Sequence, residues 1–433
     1  MDAAEILIFN LSLIRSNGPV FFLSAGNLSI TNLVISKQIC LNTICICNAI
    51  LSSFLQVVNF SISETFSDNN ELFNIESSEI NFENGSVEKF SSSNENNIIM
   101  KVLNSIIYLV SISSTNLDYS FLYSTKSNLS CIQMIMIGTY TSNLSSFIIV
   151  EYNQMVEVKN SSIIGFNNIF GGAIDNLNSF LFLSFNLFLL NFGTYGGAIY
   201  TSDSNTTFIN NTFDDNEATY GGGIYFYSGQ ISLNNELINN NFTNCNAKIG
   251  GGAYYTVYSV PIVISNFFFN NSAEYGSNYA SPPRTLTINS SFLDIFKEYL
   301  PSSSIPEIVF SLKDTFNNTI RTSFSINIMG QAMMSLANYQ IYQDFSIINQ
   351  GNGREQIYGQ AITDYDGQLF NFSNINVNMM PNSIVILTVY SDMISNFFED
   401  NTFNYTFSDY FDSNGNYYYL IFLNSTECPL GFS

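Results

Sequence analysis

Histidine and tryptophan are missing altogether from the 433 residues, and bases are scarce: 12 Lys and Arg stand against 34 Asp and Glu. Without histidine no Ser-His-Asp or Cys-His pair can form, and no His-ligated zinc site can be built. The net charge of −22 argues strongly against nucleic acid as a partner, because phosphate binding needs Lys and Arg. Anionic lipid headgroups are disfavoured for the same reason. Charged residues make up only 11% of the chain, against roughly 25% in typical soluble domains. The polar surface must therefore come from Asn, Ser and Thr, a texture common in secreted, stacked β architectures.

Other absences narrow the setting. The six cysteines (40, 45, 47, 131, 245 and 428) contain no C-x-x-C pair, so zinc and thioredoxin-type readings are weak, and buried thiols or one or two disulfides stay open. The opening residues "MDAAEILIFN" are acidic and Asn10 interrupts their apolar run, so they do not read as a signal peptide. The longest apolar stretch, "SFLFLSFNLFLLNF" (179–192), is broken by Asn186 and Asn191 and is too short for a membrane helix. The chain is expected to be cytosolic, or a piece of a longer secreted protein. About sixteen Asn-x-Ser/Thr sequons occur, Asn27, Asn160, Asn241 and Asn404 among them. Roughly ten are expected by chance at this composition, so the excess favours secretion only mildly.

What the sequence does have is a repeat. Aligned on glycine it reads "GGAIDNL" from Gly171, "GGAIYTS" from Gly196, "GGGIYFY" from Gly221 and "GGGAYYT" from Gly250, with a decayed "GSNYA" from Gly276. The alignment pairs Gly171-Gly172, Gly196-Gly197, Gly221-Gly222 and Gly250-Gly251, and the starts are 25, 25, 29 and 26 residues apart. Phe188, Phe213, Phe242 and Phe268 each stand eight residues before a glycine, and Asn191, Asn216, Cys245 and Asn271 follow three later. A period near 25 with β-branched and aromatic residues excludes the longer helical repeats, and L-x-x-L-x-L is absent, which leaves a β-solenoid. Its strands stack coil on coil at ~4.8 Å. The glycines are expected at the turns, and Ile174, Ile199 and Ile224 inward as one column. Tyr200, Tyr225 and Tyr254 are expected to alternate outward. The Phe column should fill the core. The Asn column should sit in αL turns and bond along a ladder, with Cys245 as a buried lone thiol.

The combination F-x-x-N followed by G-G-A-I, clean in Phe188–Ile199 and Phe213–Ile224, resembles the repeat of polymorphic outer-membrane proteins. It is similar to right-handed parallel β-helix (pectin-lyase-like) domains of protist surface proteins. The copies cover about a quarter of the chain. The resemblance implies an adhesin or ectodomain stalk. Residues 1–160 lack the glycines but share short apolar runs such as "LSITNLVIS", and are read as degenerate coils. About eleven coils over 1–281 would give a stack of roughly 50 Å.

The texture changes at Pro282-Pro283, and six of the eight prolines lie from there on. Residues 282–425 are expected to form an antiparallel β-sandwich. "VFSLKDTFNNTI" (309–320), with Asp314 at a strand end, faintly resembles the early strands of Ig-like modules. Residues 426–433, with Cys428-Pro-Leu-Gly431-Phe432, resemble the start of a truncated Cys-rich unit. A parent protein would then carry the membrane anchor.

No catalytic residue, metal ligand or cofactor site emerges. Asp203, Asp214 and Asp215 could supply oxygen ligands or carboxylates to a polysaccharide lyase or hydrolase. A lyase also needs a base, and Lys248 is the only Lys or Arg between Asn160 and Ser281. Asp214-Asp215 therefore reads first as a solvated turn, and Asp364-Tyr-Asp366-Gly367 as a β-turn rather than a calcium loop. The tyrosine column could stack on sugars. The expected function is a non-enzymatic, glycosylated stalk or recognition ectodomain on the outside of a cell, with glycans or other surface proteins as partners. A polysaccharide-active enzyme is the alternative, and a self-associating coat protein a third reading.

Overall fold

In the computed structural model, residues 5–288 are described apart from short stretches (the longest 15–20, 41–45, 93–97 and 140–144). Beyond them it describes 298–299, 302–305, 308–321 and isolated strands up to residue 425. Residues 365–369, with most of the "DYDG" turn, and 426–433 lie outside the described residues. The chain divides into two compact units, Met1–Ala280 and Ser281–Ser433. No helix occurs among the described residues.

The first unit is a parallel β-solenoid, and every strand pairing of its large sheets is parallel. One face is a 17-stranded bent sheet and another an 11-stranded sheet, and a 4-stranded sheet closes the third side in the later coils. A coil of the repeat runs through the 11-stranded sheet at Ile199–Ser202 and the bent sheet at Asn205–Ile209 and Thr212–Asp214. It then enters the small sheet at Glu217–Tyr220. In the earlier coils the two halves of the bent sheet are one strand, as in Phe54–Ser63.

Stacking like on like fills the core. Ile174, Ile199 and Ile224 are fully buried in register. Phe188, Phe213 and Phe242 are fully buried and stack face to face at 5.0 and 4.7 Å, and Phe268 continues the column at 5.3 Å. Such rings bury large apolar areas and gain further from offset stacking.

Corners are built from two consecutive residues with divided roles. The first takes a left-handed conformation, which is uncommon outside glycine and easiest for asparagine. Among the described residues Asn fills 13 of the 24 such non-glycine positions. In the bend of the large sheet they form one column through all its levels, from Asn10 (φ 58°), Asn32 and Asn59 to Asn210, Asn239 and Ser265 (φ 53°). The second residue turns inward, and in the later coils of the bend, from Ser161 on, it carries a ladder. The backbone N–H of Asn186 and its Nδ2 both donate to Oδ1 of Asn211 at 3.0 Å, and Asn211 does the same to Asn240. Another ladder runs through Ser78, Ser105, Ser127, Asn153 and Ser179, each N–H donating to the next side-chain oxygen. Strand pairing stops at a corner, and these bonds keep the buried N–H groups satisfied.

The expected Asn191, Asn216 and Asn271 are thus ladder residues. The left-handed place belongs to the residue before each: Leu190, Asp215 and Asn270. Cys245 is a free, fully buried thiol in that ladder. Its Sγ lies 3.5 Å from the Phe213 carbonyl, the place of the Nδ2 that Asn216 directs to the Phe188 carbonyl.

The glycine alignment needs one correction. The left-handed glycines of the repeat are Gly171, Gly196, Gly221, Gly251 and Gly276, so the fourth copy starts at Gly251 rather than Gly250. Gly250 holds the place of Tyr220, with which it pairs, and the extra residue lies at the register shift between Ala247 and Gly250. Tyr254 therefore falls in the inward column opposite Ile224, and Tyr255 lies opposite Tyr225. Tyr254 is buried, 2% exposed, and not an outward residue.

The second unit has a different plan. Pro283–Ile288, Ile308–Asp314 and Phe370–Phe372 make an antiparallel sheet, and Gln331–Leu336, Ile384–Ser391 and Tyr417–Ser425 pair antiparallel in another. Asp314 is fully buried at its strand end. Its carboxylate accepts from the N–H groups of Phe316, Asn318 and Ser281 at 2.9, 2.7 and 3.1 Å. Burial pushes its pKa up against the pull of those donors. It closes a turn.

Candidate functional site

The three acidic residues singled out from sequence occupy two separate corners, Asp203 at one and Asp214 with Asp215 at the other. Asp203 stands where the 11-stranded sheet passes to the bent sheet (φ 48°), and its Oδ1 accepts from the N–H of Gly229 at 2.6 Å. Asp214 ends a strand at the far side of the bent sheet, where its Oδ1 accepts from Thr243 and Asn244 at 2.5 and 3.0 Å. Asp215 is the exposed left-handed residue beside it. Two half-strands of the bent sheet, Asn205–Ile209 and Thr212–Asp214, lie between Asp203 and Asp215. No cluster of three or more His, Cys, Asp or Glu suited to a metal occurs among the described residues.

The chemistry-bearing side chains gather instead where the small sheet turns into the 11-stranded sheet, across the left-handed glycine. One column comprises Phe170, Tyr195 and Tyr220, each immediately before its glycine, stacked at 5.6 and 5.8 Å. A second comprises Tyr200, Tyr225 and Tyr255, stacked at 5.6 and 5.5 Å. The columns interlock edge to face, Tyr195 on Tyr225 at 5.1 Å and Tyr220 on Tyr255 at 5.2 Å. The glycines permit this approach. A Cβ on Gly196 would meet the Ile199 carbonyl oxygen at 2.0 Å, and its φ of 73° disfavours any L side chain.

The rings cover one another. Tyr225 is only 9% exposed, while Phe170 keeps 41% and neighbouring Tyr227 37%. Burial raises the pKa of Tyr200, Tyr220 and Tyr225; neighbouring tyrosine hydroxyls add to it at Tyr220 and Tyr225, while at Tyr200 a hydrogen bond with Ser202 pulls the other way and the Asp175 carboxyl adds to the rise. These phenols stay neutral hydrogen-bonding groups across the physiological range.

At one end the tyrosine column gives way to carboxylates. Asp175 holds the place that Tyr200 holds one coil later, and it is 9% exposed with its Oδ1 buried and unpartnered. Burial, then the charge of Glu151, pushes its pKa up to about 7. Glu151 lies on the preceding strand of the same face, two positions along from Ile149, which is opposite Asp175. The Tyr123 hydroxyl donates to Glu151 Oε2 at 2.9 Å. Burial first, and then that carboxylate, raise the Tyr123 pKa to about 12.

Sequence reasoning overlooked Asp175, Glu151 and the Phe170–Tyr195–Tyr220 column. Two signals could have found them: an aromatic directly before each glycine pair, and an aspartate in a column that otherwise reads Tyr.

No protein-family model matches the chain, and no curated protein matches its sequence. Among solved structures, a mutant tailspike protein of E. coli bacteriophage HK620, in complex with a hexasaccharide, is similar over 90% of this chain and 84% of that one. The identity is 11% and the TM-score 0.20, too low for the likeness to carry an argument. The parallel solenoid stands on this chain's own strand registers.

Proposed function

We propose that the protein is a non-enzymatic recognition or adhesion ectodomain of a cell-surface protein, contacting glycans through the aromatic corner. The twin columns carry this reading. Stacked rings turn their faces to each other, so a ligand along the corner meets ring edges, tyrosine hydroxyls and the exposed Phe170 and Tyr227. Such an array suits a polyhydroxylated chain, apolar in part and rich in donors and acceptors. The right-handed winding expected of parallel crossovers, the polymorphic outer-membrane-type repeat, the extracellular location and an Ig-like second unit belong to the same proposal. Antiparallel pairing in residues 283–425 supports the last of these.

The test is binding to a panel of immobilised polysaccharides, comparing the intact chain with Phe170→Ser and Tyr227→Ser. The proposal expects saturable binding that either substitution weakens at least tenfold with thermal unfolding unchanged. It fails if nothing binds, or if both variants bind like the parent.

Asp175 favours a second reading, a polysaccharide hydrolase. A carboxyl protonated to about pH 7 beside Glu151 has the form of a general acid next to a base or nucleophile. Release of reducing ends, lost in Asp175→Asn and in Glu151→Gln, would replace the binding reading with this one.

A further inference from the structure

The sequons divide the solenoid into two sides. Ten described Asn-x-Ser/Thr triplets occur in residues 1–281, and all lie on the bent sheet or at its ends; an eleventh, at Asn143, is outside the described residues. None begins on a strand of the 11-stranded sheet or of the small sheet. Five of the ten fall in one geometric column, the left-handed bend: Asn10, Asn59, Asn84, Asn160 and Asn210. The fold does not force this. The left-handed corner at the other edge of the bent sheet also holds asparagines, Asn104 and Asn178, but Ile106 and Phe180 stand where a sequon needs Ser or Thr.

We propose that this bend is a row of N-glycosylation sites, and that the bent sheet is the sugar-covered side of the solenoid. The aromatic corner is then left bare for its ligand. The inference rests on the extracellular reading above.

In the bend the asparagine points outward and the next residue turns in, Phe60 in an early coil and the ladder residues Ser161 and Asn211 later, and the Ser or Thr is the first outward residue after it. Asn10, Asn59, Asn84 and Asn160 are exposed. The seam tolerates replacement, since Gln133 and Ser111 occupy the same column. By contrast Asn128 and Asn241, inside strands of the same sheet, have a buried, unpartnered Oδ1 and are poor places for a bulky sugar. In the reaction Nδ2 bonds to the anomeric carbon of an oligosaccharide carried on a polyprenyl diphosphate. The diphosphate leaves, and the amide gives up one proton. Asn59 and Asn84 are opposite on neighbouring strands, only ~4.8 Å apart along the stack, so one glycan should exclude the other.

The experiment expresses the full chain behind a secretion leader in glycosylating eukaryotic cells. Occupancy is then mapped by enzymatic deglycosylation in heavy-oxygen water and peptide mass spectrometry. The expected result is occupancy at Asn10 and Asn160, about one glycan shared between Asn59 and Asn84, and none at Asn128 or Asn241. Asn160→Gln should remove one glycan from the secreted protein. A folded, secreted chain whose bend is bare, or whose sugars sit at Asn128 and Asn241 instead, overturns the proposal. In Tyr200→Asn, a new sequon (Asn-Thr201-Ser202) would place a sugar on the bare side. Glycan there should weaken polysaccharide binding well below that of the same variant after enzymatic deglycosylation, while loss of the Asn160 glycan leaves binding intact; equal binding by the glycosylated and deglycosylated forms of Tyr200→Asn overturns the division into sides. Protein from its own cells that lacks glycans, while the secreted form carries them in the bend, overturns the extracellular reading rather than the geometry.

Discussion

Asn191 and Asn216 are neighbours on the ladder: the backbone N–H and the Nδ2 of Asn191 both donate to Oδ1 of Asn216, each at 3.0 Å. Asn216 in turn donates its Nδ2 to the Phe188 carbonyl at 2.9 Å. A single side chain satisfies three polar groups that no strand reaches.

Asn216→Ala removes all three bonds, and although the Asn191 Nδ2 keeps its bond to the Ile163 carbonyl at 3.1 Å, each buried group left short of a partner costs about 1–3 kcal/mol. A loss on the order of 3–5 kcal/mol is expected. Because solenoid stability is a sum over neighbouring coils, the loss should appear as faster amide exchange at Asn191 and Asn216 before it lowers the whole transition. Asn216→Cys should cost less than Asn216→Ala, since Cys245 already serves in this ladder. Exchange rates that do not distinguish the two variants would mean that packing, not the ladder, sets stability here.

The glycines separate into two classes. A Cβ on Gly197 would meet the Gly222 carbonyl oxygen at 2.1 Å, against 3.3 Å from the Asp203 side chain for one on Gly229. Gly197→Ala should therefore abolish folding of the central coils or lower the unfolding temperature by many degrees, while Gly229→Ala changes it little. Thermal unfolding by far-ultraviolet circular dichroism decides this directly.

Asp175 gives a pH dependence with a defined sign. Its pKa is about 7 when folded, against about 3.9 when unfolded. Between those values the folded state holds a proton that the unfolded state has released, so this contribution to stability is greatest near pH 4 and falls as pH rises through 7. At about 1.4 kcal/mol per pH unit the whole span is on the order of 4 kcal/mol. Asp175→Asn should flatten the curve and be the more stable protein at pH 8. Glu151→Gln should shift the midpoint downward, because the neighbouring charge is gone. Denaturant midpoints from pH 4 to 8 that run parallel in wild type and Asp175→Asn would remove Asp175 from the account.

The parts that the sequence displayed are those in which one residue type is forced at a fixed interval. Gly171, Gly196 and Gly221 recur because a Cβ would strike backbone, and Phe188, Phe213 and Phe242 because each stacks on the next. The early coils hid themselves by uneven length: partners one coil apart are separated by 22 residues at Asn10–Asn32, 27 at Asn32–Asn59 and 25 at Ser53–Ser78. Any of Asn, Ser or Gln also suffices at their corners. Tyr254 was misplaced because Gly250 to Gly252 offers three glycines for two places, and only backbone conformation tells which one is left-handed. The candidate site was least legible, since Asp175 and Glu151 come together through a strand register and not through spacing.

The bend offers a last prediction, one of gain. Phe185 takes a left-handed conformation (φ 56°) with 60% of its surface exposed, so an aromatic ring lies in water on a backbone that favours asparagine. Its neighbours in the column, Asn160 and Asn210, are asparagines. Phe185→Asn should stabilise the solenoid by up to about 1 kcal/mol, the left-handed penalty being smaller for asparagine. It should also lower self-association by removing an exposed apolar ring. No sequon is created, because Leu187 follows two residues later, so any change read in secreted protein is free of added sugar. A lower unfolding temperature for Phe185→Asn would show that the Phe185 ring makes contacts worth more than its backbone strain.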